Sequence, residues 1–147
     1  MKKRKQKSAV LIGRREFVNF PALGIAEIEA KIDTGAYTSS IHCHAINEKK
    51  IDNKVQLCFK VLDPSHEGYE DREYCFEKYE MKAIKNSFGD AEQRYIIKTP
   101  IKLGGRKVNT TLSLTDRGNM RYPVLIGRKF LKNKFIVDVA GLHLQGK

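Results

Sequence analysis

The sequence predicts an all-β, barrel-like domain with many short strands and one short helix near its C-terminal end. Three features carry that expectation. Over most of the chain apolar residues recur with a period of two, not the 3.6 of a helix. Glycine, proline and aspartate clusters break the sequence into short runs. The best helical stretch, residues 128–132 after Gly127, is little more than one turn.

Taken in order, residues 8–12 read as extended, with Val10, Leu11 and Ile12 together. Residues 26–32, Ala-Glu-Ile-Glu-Ala-Lys-Ile, alternate strictly between small or apolar and charged side chains. Such alternation sets one face on a core and the other in water. Val55, Leu57, Phe59 and Val61 repeat the pattern, as do Val108, Thr110, Leu112 and Leu114. Residues 73–83, 93–99 and 135–139 are rich in β-branched and aromatic side chains and also read as strands. Gly104-Gly105, between two of these runs, predicts a hairpin. Asp63-Pro64-Ser65-His66-Glu67-Gly68 predicts a loop, followed by an acidic cluster at Glu67, Glu70, Asp71 and Glu73.

Length and composition agree with a compact fold. A chain of 147 residues, 41% of them apolar, buries a core without staples. It has no run of eighteen apolar residues, the length a membrane-spanning helix needs. The basic start is followed only by the short apolar stretch 9–12, too short for a signal-peptide core. The mature protein is therefore expected to begin here, in the cytoplasm. Cys43, Cys58 and Cys75 are odd in number and lack C-x-x-C spacing, which argues against a disulfide framework and predicts small buried thiols.

The net charge of +11 divides unevenly. Lys2, Lys3, Arg4, Lys5 and Lys7 supply five of the charges, and residues 1–7 read as a disordered basic tail ahead of a domain spanning 8–147. Removing those five leaves +6, a moderately basic domain suited to acidic partners. Basic residues are not interleaved with aromatic ones in the way that stacks bases, so nucleic acid is not the expected ligand.

Chemistry points to Asp33-Thr34-Gly35, which follows the alternating strand directly. The strand delivers a carboxylate into a tight turn. Glycine allows close approach there, and the threonine hydroxyl is able to bond within the turn. Two such turns face to face hold two carboxylates that share one proton. One member then activates water while the other protonates a substrate carbonyl. The tripeptide alone is also an ordinary strand-to-turn sequence. Further support comes from the second half of the chain.

Lys31-Ile32-Asp33-Thr34-Gly35-Ala36, the later Tyr122-Pro123-Val124-Leu125-Ile126-Gly127-Arg128, and Phe130-Leu131 resemble the family named putative ATP-dependent zinc proteases, better described as retropepsin-like aspartic peptidases. The resemblance spans roughly residues 9–143. It implies a closed retropepsin-like (acid-protease) β-barrel and catalysis by Asp33, Thr34 and Gly35. Gly127 and Arg128 would then be structural, closing an apolar strand before the short helix. Arg94 and Arg117 stand at positions typical of the family; with Ala36 and Arg121 they are the candidate substrate contacts. The family's frequent company, ATP-grasp ligases that add glutamates to protein C-termini, implies glutamate-rich peptide substrates. Guanidinium forks suit such carboxylates, though pairing with Glu92 or Asp116 would equally satisfy these arginines.

There are departures. Viral retropepsins carry an acidic residue soon after the catalytic turn, where this chain has Tyr37-Thr38-Ser39-Ser40, so the partner of Arg128 has to come from elsewhere. The segment between Cys58 and Tyr95 is longer than a flap hairpin. Only one Asp-Thr-Gly is present, so a dyad requires Asp33 from each subunit of a homodimer, or the approach of Asp116 or Asp138.

Two alternatives compete: a zinc-dependent hydrolase built on His42 and His44 with His66 or His143, and a non-catalytic basic binding module. The chain has no H-E-x-x-H and no Walker spacing around Gly104-Gly105-Arg106-Lys107, so no metal or other cofactor is expected. The tail makes the simplest test. Deleting residues 1–7 is expected to leave the thermal midpoint within about 2 °C in a melting scan, whereas a larger loss would mean that the tail packs on the domain.

Overall fold

A computed structural model describes residues 8–85, 88–116 and 121–147. Eleven strands account for most of them: β1 Val10–Ile12, β2 Arg15–Phe20, β3 Ile25–Ile32, β4 Ser39–Ile51, β5 Lys54–Val61, β6 Glu73–Phe76, β7 Glu80–Lys85, β8 Ala91–Leu103, β9 Arg106–Thr115, β10 Val124–Ile126 and β11 Phe135–Val137. The helices are a short 3₁₀ turn, Pro21–Leu23, and α1, Arg128–Leu131. The expected all-β class is observed. Among the described residues no helix is long and apolar enough to cross a membrane.

Strand pairing runs β10-β3-β2-β8-β9-β4 and returns from β4 to β10, so the strands form a ring. The β2–β8 seam is held by a single residue pair, Asn19 with Lys102. Inside lie Val18, Phe20, Ile28, Ala30, Ile41 and Leu112, all essentially buried. The alternation in β3 is realised from Ile28 onward: Ile28, Ala30 and Ile32 face in, and Lys31 faces out. Ala26, expected inside, is exposed, because Glu27 at φ 53° and a register shift between Val18 and Phe20 break the alternation there. Val55 is exposed as well, sitting beside the tip of the β4–β5 hairpin. That hairpin turns on Asp52 and Asn53, both at positive φ, as a primed two-residue turn requires.

The Gly104-Gly105 hairpin forms as expected, joining β8 to β9 with Leu103 opposite Arg106. The run 73–83 does not form one strand. It splits into β6, which pairs with β5, and β7, which pairs with β8. The expected absence of a disulfide is also corrected: Cys58 and Cys75 are joined. They are direct cross-strand partners of β5 and β6, with Cα atoms 4.1 Å apart. Seventeen residues separate them in sequence, so only the strand register brings them together. Cys75 is exposed, contrary to the buried thiol expected; Cys58 and Cys43 are buried.

One buried charge fastens the ends of the domain. Glu16 is fully buried, and its carboxylate accepts the N–H groups of Gly13 at 2.7 Å, Leu144 at 2.9 Å and Gln145 at 3.1 Å. Truncating it strands three backbone donors. Glu16→Ala is expected to lower stability by at least about 2 kcal/mol in urea unfolding, and Glu16→Gln, which keeps an acceptor, by less.

Candidate active site

β3 ends at Ile32, and Asp33 opens the connection to β4. β10 lies in the gap between those two strands. It pairs in parallel with β3 (Val124 with Ala30, Ile126 with Ile32) and antiparallel with β4 (Val124 with Ile41). The Asp33 N–H donates to the Ile126 carbonyl at 2.8 Å, and the His42 N–H to the Pro123 carbonyl at 2.8 Å. The catalytic candidate is thus tied by main chain to a strand more than ninety positions later in the sequence.

Within the turn the Gly35 N–H donates to Asp33 Oδ1 at 3.0 Å, and the Ala36 N–H to the Asp33 carbonyl at 3.2 Å. Asp33 Oδ2 makes no hydrogen bond among the described residues. Asp33 is half-buried, while Thr34, Gly35 and Tyr37 are exposed. Gly35 has no left-handed backbone. A Cβ there would sit 3.2 Å from Asp33 Oδ1, so glycine serves by keeping clear of the carboxylate. The Thr34 hydroxyl does not brace the turn among the described residues; its carbonyl is the group engaged.

That carbonyl accepts Nη1 of Arg128 at 2.9 Å. The partner of Arg128, which the sequence leaves open, is a backbone oxygen of the Asp33 turn, with the Tyr37 ring 5.9 Å from the guanidinium carbon. The first amides of α1 complete the clamp: Arg128 N–H to the Ala36 carbonyl at 2.8 Å and Lys129 N–H to the Tyr37 carbonyl at 2.9 Å. The Gly127 N–H donates to Ser39 Oγ at 3.0 Å. Gly127 has no room for a side chain. A Cβ would lie 2.7 Å from the Tyr37 oxygen and 2.9 Å from the Ala36 oxygen, both rigid backbone.

A cleft of about 450 Å³ opens beside the turn. Gly35, Ala36, Tyr37, Arg94, Arg128 and Lys85 are among its lining residues. Ala36 and Arg94 thus share one cleft with Gly35, and Asp33 itself is not among the residues that line it. Arg94 is nine-tenths buried. Its Nη2 pairs with Glu92 at 3.0 Å, while its buried Nε has no acceptor among the described residues. Arg121 is placed elsewhere, in a cleft of about 700 Å³ that also holds His42, Asp63 and Glu70. Arg117 lies outside the described residues. Asp138 turns its carboxylate to the Ala140 N–H at 3.0 Å, and Asp116 lines a separate cleft with Arg94.

The imidazoles are engaged in hydrogen bonds. His42 contacts Asp63 Oδ2 through Nε2 at 2.6 Å and the Thr115 carbonyl through Nδ1 at 3.2 Å. The Ser65 hydroxyl and N–H, with a smaller contribution from His42, hold the Asp63 carboxyl below the usual range. His44 Nδ1 meets the Leu62 carbonyl at 2.7 Å, and His143 meets Glu29 at 2.5 Å. Among the described residues one trio of metal-ligating side chains converges, Cys58, Glu73 and Cys75, and its two sulfurs are bonded to each other. The His42–His44 hydrolase thus lacks a third ligand within this set. Burial pushes the Cys43 thiol far above the ordinary range, so it is no nucleophile.

A strand ring with an Asp-Thr-Gly turn pinned by a threaded strand and a Gly-Arg helix start is the architecture of a retropepsin-like domain. Residues 11–147 match the family described as RimB-like, retropepsin-like aspartic endopeptidase RimB, and the chain belongs to that family. Nothing in the match supports the zinc and ATP of the older family name. A probable alpha-L-glutamate ligase of Shewanella pealeana is 39% identical over 129 residues, covering 87% of this chain and 28% of that protein. One of Parasynechococcus marenigrum is 31% identical over 141 residues, covering 93% and 29%. The chain thus spans under a third of the curated relatives it matches. A crystal structure of Lpg0085 from Legionella pneumophila, a protein of unknown function, superposes with a TM-score of 0.68 at 26% identity, covering 94% of this chain and 99% of that one.

The Gly127 contact is directly testable. Gly127→Ala is expected to cost about 1–3 kcal/mol in chemical unfolding and to displace the Asp33 turn, read as altered amide shifts at Gly35 and Ala36.

Proposed function

We propose that this protein is an aspartic endopeptidase that works as a homodimer, each subunit supplying Asp33. The observation that carries this reading is the asymmetry of the Asp33 turn. Main-chain bonds and Arg128 hold its inner side, while Thr34, Gly35 and the unengaged Asp33 oxygen remain open on the outer side. A second copy presenting the same turn brings two carboxylates together, where close like charges share one proton. The ionised member takes a proton from water, and the resulting oxygen attacks the peptide carbonyl. The protonated member gives its proton to the carbonyl oxygen. As the tetrahedral intermediate collapses, the first aspartate passes the proton it took from water to the nitrogen, which leaves as the amine, and the second carboxylate takes a proton back from the diol.

Acidic, glutamate-rich peptides are the proposed substrates, and the cytoplasm the proposed compartment. Arg94 supports the substrate class: its buried Nε faces no acceptor beside a cleft that also carries Lys85 and Arg128. A desolvated guanidinium edge gains most from a carboxylate. The relatives' names add a chemical link, since they denote ligases of L-glutamate. No described cluster favours the metal hydrolase.

Asp33→Asn is expected to lower peptidase activity by about 10²–10⁴-fold with an unchanged melting temperature, and dilution through the dimer dissociation constant to lower specific activity. Full activity in a proven monomer would rule out the two-subunit dyad. Arg94→Gln is expected to raise KM for oligoglutamate-ended peptides more than for neutral ones, a difference that shrinks as salt rises. Equal rates on acidic and neutral peptides at low salt would remove the substrate proposal and leave the peptidase.

A further inference from the structure

The cations of this domain are unevenly balanced. Lysines on β4, β5 and β7 find acids: Lys49 pairs with Glu73, Lys54 with Glu77, Lys60 with Asp71 and Lys82 with Glu80. Beyond Glu92, which pairs with Arg94 at the start of β8, the β8–β9 ribbon has no such supply. From residue 93 to 115 there is no aspartate or glutamate, while Arg94, Lys98, Lys102, Arg106 and Lys107 all fall there. At the hairpin end Lys102 and Lys107 are exposed, directly opposed cross-strand partners. Like charges so placed repel each other and weaken the pairing.

These residues border a cleft of about 390 Å³ between the hairpin tip and the C-terminal segment. Its lining includes Lys102, Arg106, Lys107 and Lys147 and no acidic side chain. Gly104 and Gly105, at φ 55° and 78°, form the turn that edges it. Lys147 is anchored with its Nζ 4.9 Å from the centre of the Phe17 ring. Among the described residues none of these four cations takes part in an ion pair.

We infer that this cleft is a binding site for clustered phosphates. Four positive charges around one concavity raise the local concentration of a polyanion and need one to relieve their mutual repulsion. The side-chain chemistry suits phosphate. Three of the four cations are lysines, point charges that suit the dense, multiply charged oxygens of phosphate. Arg106 spends part of its fork on the Ser8 carbonyl, through Nη2 at 2.8 Å, so it contributes charge more than bidentate geometry. The site is independent of the peptide cleft: Lys102 lies eight residues along β8 from Arg94, about 26 Å at about 3.3 Å per residue. The expectation that nucleic acid is no partner turned on missing aromatic stacking, and phosphate recognition requires none.

Two sources share this chemistry, a small polyphosphorylated molecule and a nucleic-acid backbone. The full-length protein is titrated with sodium tripolyphosphate by calorimetry and with a fluorescent twelve-nucleotide single-stranded RNA by anisotropy, each at low and high salt. Tripolyphosphate is expected to bind, more weakly as salt rises, and the double variant Lys102→Glu, Lys107→Glu to lose about tenfold or more in affinity with an unchanged melting temperature. RNA binding tighter than tripolyphosphate, and equally sensitive to the double variant, assigns the site to a nucleic-acid backbone; weaker RNA binding assigns it to the small molecule. The proposal is overturned if neither probe binds, if the double variant binds as the parent does, or if oligoglutamate of equal charge displaces both probes equally well. Peptidase activity does not enter any readout, so this result stands apart from the fate of the Asp33 dyad.

Discussion

The arrangement of the candidate site depends on one close approach, the main chain of Gly127 against the carbonyls of Ala36 and Tyr37. Because no Cβ intervenes, β10 is able to fill the gap between β3 and β4 and deliver the first amides of α1 onto the Asp33 turn. Each backbone hydrogen bond in that clamp contributes only about 0.5–1.5 kcal/mol net. Together they hold a half-exposed loop in one conformation. Loops are ordinarily the most mobile parts of a domain, whereas this one has its carbonyls at Thr34, Ala36 and Tyr37 engaged from one side. Asp33 itself is half-buried, with Oδ1 holding the Gly35 N–H.

Charge is organised on the same principle of separation. Acids concentrated in residues 67–92 pair with lysines on the strands around them and, through Glu92, with Arg94, while no ion pair is seen for Lys102, Arg106 or Lys107 of the β8–β9 ribbon among the described residues. Arg94 and Lys102 sit toward opposite ends of β8, so one long strand serves two positively charged clefts that do not overlap. The Cys58–Cys75 bond ties β6 to β5, while β7, a few residues on, carries Ile84 and Lys85 into the cleft beside the Asp33 turn. The long segment after Cys58 therefore joins the ring at both ends instead of hanging from it as a simple flap.

Much of the fold was legible because burial imposes a period of two. Ile28, Ala30 and Ile32 alternate with charged residues in the sequence and face inward in β3. Leu112 and Leu114 in β9 are buried as well, but there the alternation gives way, since Ser113 and Thr115 are also buried. The misses also have physical causes. Nothing in the sequence marks β4 as a long strand, because its outer half, with Glu48, Lys49 and Lys50, is exposed and carries no apolar alternation. Its hairpin turn uses Asp52-Asn53, which lacks the glycine that marks such turns most clearly. The run 73–83 is continuous in β-forming character, yet its two halves pair with different strands, and local propensity is blind to partners.

In the sequence by itself, residue type and near neighbours sufficed for the strand class and the Asp-Thr-Gly turn. Gly127 and Arg128 were legible only through the family resemblance, because the groups they contact lie about ninety positions away. Tertiary structure alone decided who meets whom. It chose a backbone carbonyl as the partner of Arg128, placed Arg94 in the cleft beside the Asp33 turn while sending Arg121 to another cleft, and set Cys58 against Cys75. It also left Lys102 facing Lys107 without an acid between them. Those outcomes follow from strand register and from the order of strands around the ring. Register is a property of pairs of segments far apart in the chain, and a single-residue shift would exchange every partner.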